Sequence, residues 1–253
     1  MTYCLAICVR EGLVCLADGR ITSGSQVSVA RKATLHGPAG ADVLIMTSGL
    51  RSLRDKTVAY LDRAMRREHV TGFTCLLDAV DAYAACLRRT AEEDRAALES
   101  SRLNFNLNTI IAGQLAEDPA PTAFLVYPEG NWIEVNERTP YLSIGATGYG
   151  KPILDRTLTF DTPLAMALKS AYLSFDSTRV SSADVGFPVD ILTYGAGERH
   201  WHSAHFVYDD LREQREWWNH ELTELAARLP DEPWRDQLLP ADPAAPVSLV
   251  RKD

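Results

Sequence analysis

Threonine at position 2 carries a hydroxyl and, once Met1 is removed, a free α-amine on the same residue. Initiator methionine is normally removed when a side chain this small follows it. The product is a nucleophile with a base attached, because an α-amino group of pKa about 7.7–8.0 accepts protons near neutrality. Such a nucleophile needs positioned partners. Leu16-Ala17-Asp18-Gly19-Arg20 sets a charged pair at the end of an apolar segment, and Arg31-Lys32 follows on the next strand candidate. A lysine beside the threonine hydroxyl would favour its deprotonated form, and a carboxylate would hold that lysine charged and oriented. The same residues would equally make a strand-end salt bridge and a solvated basic pair. The chemistry therefore depends on whether the fold brings them together.

The elements that must do this are readable in part. Tyr3–Val9 and Leu13–Ala17 are apolar runs separated by Arg10-Glu11-Gly12, the pattern of a hairpin whose strands are buried on both faces. Antiparallel pairing through that turn would carry Asp18 back to the chain start. A polar stretch from Gly19 to Gln26 precedes strands near Ala30–Leu35 and Val43–Thr47, with a turn at Gly37-Pro38 and Gly40. A helix is expected over about Ser52–Arg67. In a second helix Phe73, Leu76, Leu77, Val80, Tyr83, Ala84 and Leu87 share one face, with Thr71 or Thr74 as cap. Strands follow at Asn108–Leu115, Ala123–Tyr127 and Trp132–Val135. A helical zone over Ile153–Ser174 is broken near Asp161-Thr162-Pro163. Strands return at Val189–Tyr194 and Trp201–Tyr208, and a last helix spans Asp209–Leu229. Runs of strands alternating with runs of helices give an α+β sandwich, one domain over 1–230, with an extended proline-rich tail over 231–253.

Composition narrows the function classes. With 26 basic and 34 acidic residues in 253, the net charge of −8 offers no general attraction to polyanions, so nucleic acid is not an expected partner. No apolar run reaches the roughly 18 residues of a membrane span, and Tyr3–Val9, with no basic residue before it, is too short for the apolar region of a secretory signal. Cys4, Cys8, Cys15, Cys75 and Cys86 show no metal spacing and read as buried thiols of a reducing cytoplasm. His200, His202 and His205 invite a metal, but strand alternation splits them between faces, so no metal is expected. Cys4 cannot be an N-terminal nucleophile by single-residue trimming; only Thr2 can.

The order of an N-terminal Thr, Leu-Ala-Asp-Gly-Arg and then Arg-Lys resembles a proteasome-type β-subunit. It is most similar to the bacterial ancestral β-subunit (Anbu) group. Met1-Thr2-Tyr3-Cys4, the run Tyr149-Gly150-Lys151-Pro152-Ile153-Leu154-Asp155-Arg156, Ser174-Phe175-Asp176-Ser177-Thr178 and Val185-Gly186-Phe187-Pro188-Val189-Asp190 carry the likeness over most of the chain. The resemblance implies a four-layer αββα sandwich of the N-terminal-nucleophile hydrolase type. It implies that Thr2 is nucleophile, with its own amine as base, Lys32 lowering the hydroxyl pKa and Asp18 orienting Lys32. Asp176 and Ser182 would support them. Gly49, in Thr47-Ser48-Gly49-Leu50, would offer its N–H to the oxyanion, and Arg20, Thr22, Arg31 and Thr47 would line the substrate pocket. Implied too are a peptide or amide substrate, no cofactor, and a ring-like or spiral homo-oligomer. A silent assembly subunit of the same fold is the alternative.

Overall fold

A computed structural model describes residues 2–23, 26–37, 42–67, 73–230 and 235–238. The chain divides into two units, Met1–Leu211 and Arg212–Asp253. In the first unit the elements run β1 (Tyr3–Val9), β2 (Gly12–Asp18), β3 (Arg20–Ser23), β4 (Gln26–Val29), β5 (Ala33–His36), β6 (Val43–Gly49), α1 (Arg51–Arg67) and α2 (Leu76–Ser100). They continue through β7 (Leu107–Gly113), β8 (Thr122–Val126), β9 (Trp132–Glu134), β10 (Tyr141–Gly145), α3 (Lys151–Thr157), α4 (Leu164–Ser181), β11 (Val189–Gly195) and β12 (Trp201–Phe206).

Two five-stranded antiparallel sheets form, β10-β1-β2-β11-β12 and β5-β6-β7-β8-β9. Strand alternation sorts their side chains. Cys4, Ala6, Cys8, Cys15 and Ala17 meet Leu44, Met46, Ile110 and Leu125 between the sheets. Tyr3, Leu5, Ile7, Val14 and Leu16 face outward onto Leu154 of α3 and Ala167, Ala171 and Phe175 of α4. Ile45, Leu107, Ile111 and Phe124 face outward onto α1 and α2 through Leu53, Leu61, Val80, Tyr83 and Leu87. This is the expected αββα sandwich. The first hairpin explains its own interior position: every residue of β1 and β2 is buried, and each large aliphatic side chain so buried contributes about 1.5–3 kcal/mol. Small side chains on its inner face let the sheets approach; the cysteines are fillers there, as expected, and Cys4, Cys8 and Cys15 are free thiols.

Several boundaries differ from the sequence reading. The polar stretch after Gly19 holds a two-stranded ribbon, β3–β4, whose β4 residues are all exposed; with no buried face it leaves no apolar alternation to read. Arg31 and Lys32 precede β5, which begins at Ala33. Strand β10 was not foreseen. The cap of α2 is Cys75, Leu77 is exposed on that helix, and Phe73 lies ahead of it. The second helical zone is two helices, and α4 continues seven residues past Ser174 because Ala171, Ser174, Phe175 and Thr178 keep a buried face. Thr71, most of the Gly37–Gly40 turn and the tail beyond Pro230, apart from 235–238, lie outside the described residues.

In the second unit, α5 (Arg212–Ala227) and the short α6 (Arg235–Leu238) are the described elements. Leu222, Leu225 and Leu229 are exposed. Among the described residues no helix is long and apolar enough to cross a membrane.

Candidate active site

The hairpin sets the first contacts. Cys4 pairs with Ala17, which places Asp18 opposite Tyr3 at the open end of the hairpin, where the sequence put it. The Tyr3 N–H donates to Asp18 Oδ1 at 2.8 Å. Thr2 is held from the other side by β10, since the Ala146 N–H donates to the Thr2 carbonyl at 2.7 Å. That approach requires Gly145, whose φ is +90° and whose Cβ, if present, would lie 1.8 Å from the Thr2 carbonyl oxygen.

Lys32 reaches this corner from the segment ahead of β5. Its Nζ donates to Asp18 Oδ1 at 2.7 Å and to the Arg20 carbonyl at 2.5 Å. The two side chains are 5% and 0% exposed, so the pair is sequestered, and a buried charge pair holds only with close geometry and further hydrogen bonds. The second Asp18 oxygen receives one, from the Gly186 N–H at 3.4 Å. Burial pushes the Asp18 carboxyl above the usual carboxylate range; Lys32 and the Tyr3 and Gly186 amides pull the other way without cancelling it. Burial likewise drives the Cys4 thiol upward, with Lys32 opposing, and the Cys8 thiol to about 11. Both stay protonated at neutral pH.

The cleft above the pair measures about 260 Å³ and is lined by Thr2, Arg20, Thr22, Lys32, Thr47 and Gly49, together with Ile21, Ser48, Arg51, Arg54 and Asn106. Gly49 is placed by the ladder. The Leu50 N–H donates to the Asn106 carbonyl at 3.0 Å, and Gly49 is in register with Leu107. Antiparallel alternation then turns the Gly49 N–H away from β7, towards the side where β5 has already ended at Ala33. A side chain is barred there: φ is +141°, and a Cβ would lie 2.0 Å from the Asn106 carbonyl.

The structure thus gathers Thr2, Asp18, Lys32, Arg20, Thr47 and Gly49. Arg31 lines a neighbouring cavity that shares Lys32, Thr47 and Arg54 with this cleft. Asp176 is elsewhere engaged, buried in α4 and ion-paired with Arg179 at 2.6 Å. Ser182 ends α4 and opens the loop that delivers Gly186 to Asp18. Sequence reasoning missed Gly186, Arg51, Arg54 and Asn106. The run Gly186-Phe187-Pro188, which closes on the site as the Gly19 N–H donates to the Pro188 carbonyl at 2.6 Å, was the one available signal for the first. Two of the three histidines face carboxylates. His205 Nδ1 lies 2.7 Å from Asp190, which the β11–β12 register brings opposite it, and His202 Nε2 lies 2.9 Å from Glu198, four residues earlier in the chain. No metal-holding cluster is found among the described residues.

No family model and no curated protein matches the chain. Solved structures do. The helical assembly of the Anbu complex from Pseudomonas aeruginosa superposes with a TM-score of 0.85 at 31% identity, covering 92% of this chain and 98% of that one. The chain belongs to the Anbu family. Anbu (ancestral β-subunit) from Yersinia bercovieri matches with a TM-score of 0.81 at 29% identity over 90% and 97% of the two chains. A Gly-1 mutant of Anbu from Hyphomicrobium sp. strain MC1 gives 0.82 at 27% over 91% and 98%. In this Anbu-family chain the fold is accordingly that of a proteasome-type β-subunit.

Proposed function

We propose that the chain is a threonine-type N-terminal-nucleophile hydrolase that cleaves a peptide or amide bond through an acyl-enzyme on Thr2. The observation that carries this reading is the sequestered Lys32–Asp18 pair at the floor of the cleft that Thr2 and Gly49 also line. After loss of Met1, which lies outside the described residues, the Thr2 amine takes the hydroxyl proton and the oxygen attacks the carbonyl carbon. The positive charge of Lys32 favours the alkoxide, and Asp18, fixed by two backbone amides, keeps Lys32 aimed. The Gly49 N–H meets the oxyanion, a contact typically worth a few kcal/mol of barrier. The amine returns its proton to the leaving nitrogen. Water activated by the same amine then releases the acid. Asp176 and Ser182, in α4 and at its end, are the proposed supporting pair; Ser182 opens the loop that brings Gly186 to Asp18, and Asp176 holds Arg179, whose guanidinium lies over the ring of Phe187 beside Gly186. Thr47, with Arg20 and Thr22, borders the acyl group.

Self-association fits the same reading. The Pseudomonas aeruginosa relative was solved as a helical assembly, and head-to-tail contacts build a ring or an open spiral according to the subunit rotation. A cytoplasmic setting agrees with the free thiols.

Turnover tests the chemistry. Purified wild-type chain, with an intact mass lacking one methionine, should hydrolyse a fluorogenic peptide amide, and Thr2→Ala should lose at least about 10²-fold of that rate. A retained Met1 with no turnover would favour an assembly subunit that keeps the fold without the reaction.

A further inference from the structure

The cleft carries more positive charge than the hydrolytic step uses. Beside Lys32 it is lined by Arg20, Arg51 and Arg54, and among the described residues no carboxylate lines it, in a chain whose net charge is −8. Two carboxylates stand against the four positive charges. Asp18 holds Lys32. Asp55 serves both other arginines, receiving Arg54 at 2.6 Å and Arg51 at 3.3 Å; although burial opposes it, the two guanidiniums hold the Asp55 carboxyl below its usual range. Arg20 pairs with no carboxylate among the described residues. One of its nitrogens, Nη1, donates to the Ala183 carbonyl at 2.9 Å, and its Nε is buried without a hydrogen-bond partner.

Arg20 therefore brings to the cleft a positive charge that no described carboxylate offsets, and Arg geometry is suited to holding carboxylates with two parallel bonds. The geometry points to a substrate whose acyl part carries a carboxylate, an acidic side chain or a free α-carboxyl next to the scissile bond, received by Arg20 with Arg54 and Arg51 at the rim. This inference deepens the hydrolase reading and rests on it for the position of the scissile bond, whereas the carboxylate preference itself rests on the cleft alone. Asp55 keeps the arginine pair on α1 ordered: Arg54 also donates to the Arg31 carbonyl at 3.4 Å, which fixes it where the two cavities meet. A substrate with a cationic side chain would face the unmatched positive charge at close range and be rejected.

Two readouts separate this inference from the chemistry. In the first, wild-type chain is given acetyl-glutamyl, acetyl-glutaminyl and acetyl-lysyl coumarylamides. We expect kcat/KM for the glutamyl amide at least tenfold above the glutaminyl one, with the lysyl amide slowest. Arg20→Gln and, separately, Arg54→Gln should bring the glutamyl-to-glutaminyl ratio towards one, and raising the salt from 0.05 to about 0.5 M should shrink it. In the second, Thr2→Ala protein, which cannot turn over, is titrated with N-acetylglutamate and N-acetylglutaminamide by calorimetry. Tighter binding of the glutamate by tenfold or more, lost in Thr2→Ala/Arg20→Gln or Thr2→Ala/Arg54→Gln, supports the inference even if no amide is hydrolysed, and in that case only the hydrolase reading fails. Equal binding of the two probes, or a ratio that neither arginine substitution alters, overturns it even if the enzyme is active.

Discussion

The β1–β2 hairpin has an ion pair at each end, and the two could hardly differ more. At the closed end Arg10 meets Asp161 at 2.6 Å with side chains 66% and 73% exposed. At the open end Lys32 meets Asp18 at 2.7 Å with side chains 5% and 0% exposed. The distances are alike; the surroundings are not. Water screens the first pair, so it contributes little. The second has surrendered its hydration on both sides, and such a pair is weak support for stability when compared with a well-packed apolar pair. A protein that needed only to close this corner would do as well with two aliphatic side chains. Keeping a lysine and an aspartate there, tied to the backbone at Tyr3, Arg20 and Gly186, makes sense where Thr2 uses the charge.

The largest effect should come from splitting the buried pair. Lys32→Met leaves Asp18 without its counter-ion, and we expect a loss of about 3–5 kcal/mol of stability together with loss of turnover. Its pH dependence has a definite sign. Burial already raises the folded-state pKa of Asp18, and removing Lys32 raises it further. The contribution of the neutral carboxyl is complete below the ordinary carboxylate pKa and is lost as pH rises through the raised one. Chemical denaturation of the variant should therefore show a smaller deficit near pH 5 than near pH 8. A deficit that grows on acidification would contradict the burial argument.

Removing both charges should hurt stability less than removing one. Asp18→Leu combined with Lys32→Met is expected to lie within about 2 kcal/mol of wild type in urea melts while remaining inactive. A double variant as unstable as Lys32→Met would mean the pair is held for the fold. At the closed end Arg10→Ala should cost under about 1 kcal/mol and leave kcat/KM unchanged. A cost near that of Lys32→Met would erase the contrast between the two ends.

The same contrast explains what was legible in the sequence. Buried strands announce themselves, so β1, β2, their turn and the return of Asp18 to Tyr3 were readable from apolar runs and a Gly-containing break, as was the α2 face built on Leu76, Val80, Tyr83 and Leu87. The β3–β4 ribbon was not, because every residue of Gln26–Val29 is exposed and that strand has no buried face whose period could be read. Strand β10 went unread because it is only five residues long, Tyr141–Gly145, with its apolar run broken at Ser143 and ended by Gly145. The same limit applies to the site. Thr2, Asp18 and Lys32 were found because the hairpin and a family likeness ordered them. Arg51 and Arg54 join the cleft, and Gly186 reaches Asp18, through chain segments far from Thr2 in sequence; no local pattern marks the two arginines, and only the Gly186-Phe187-Pro188 run marks the glycine. Asp176 was nominated as a supporting acid, and its bond to Arg179 is a contact between neighbouring turns of one helix that spacing alone permits without requiring.

The central claim, that Thr2 is the nucleophile and that Lys32 and Asp18 make it one, is tested most directly by locating a covalent adduct. The wild-type chain is treated with a threonine-directed electrophile and its N-terminal peptide sequenced by tandem mass spectrometry. The account predicts one adduct per chain on Thr2, at a terminus lacking Met1, absent from Lys32→Met and from Thr2→Ala. An adduct on another residue, or undiminished labelling in Thr2→Ala, would contradict it.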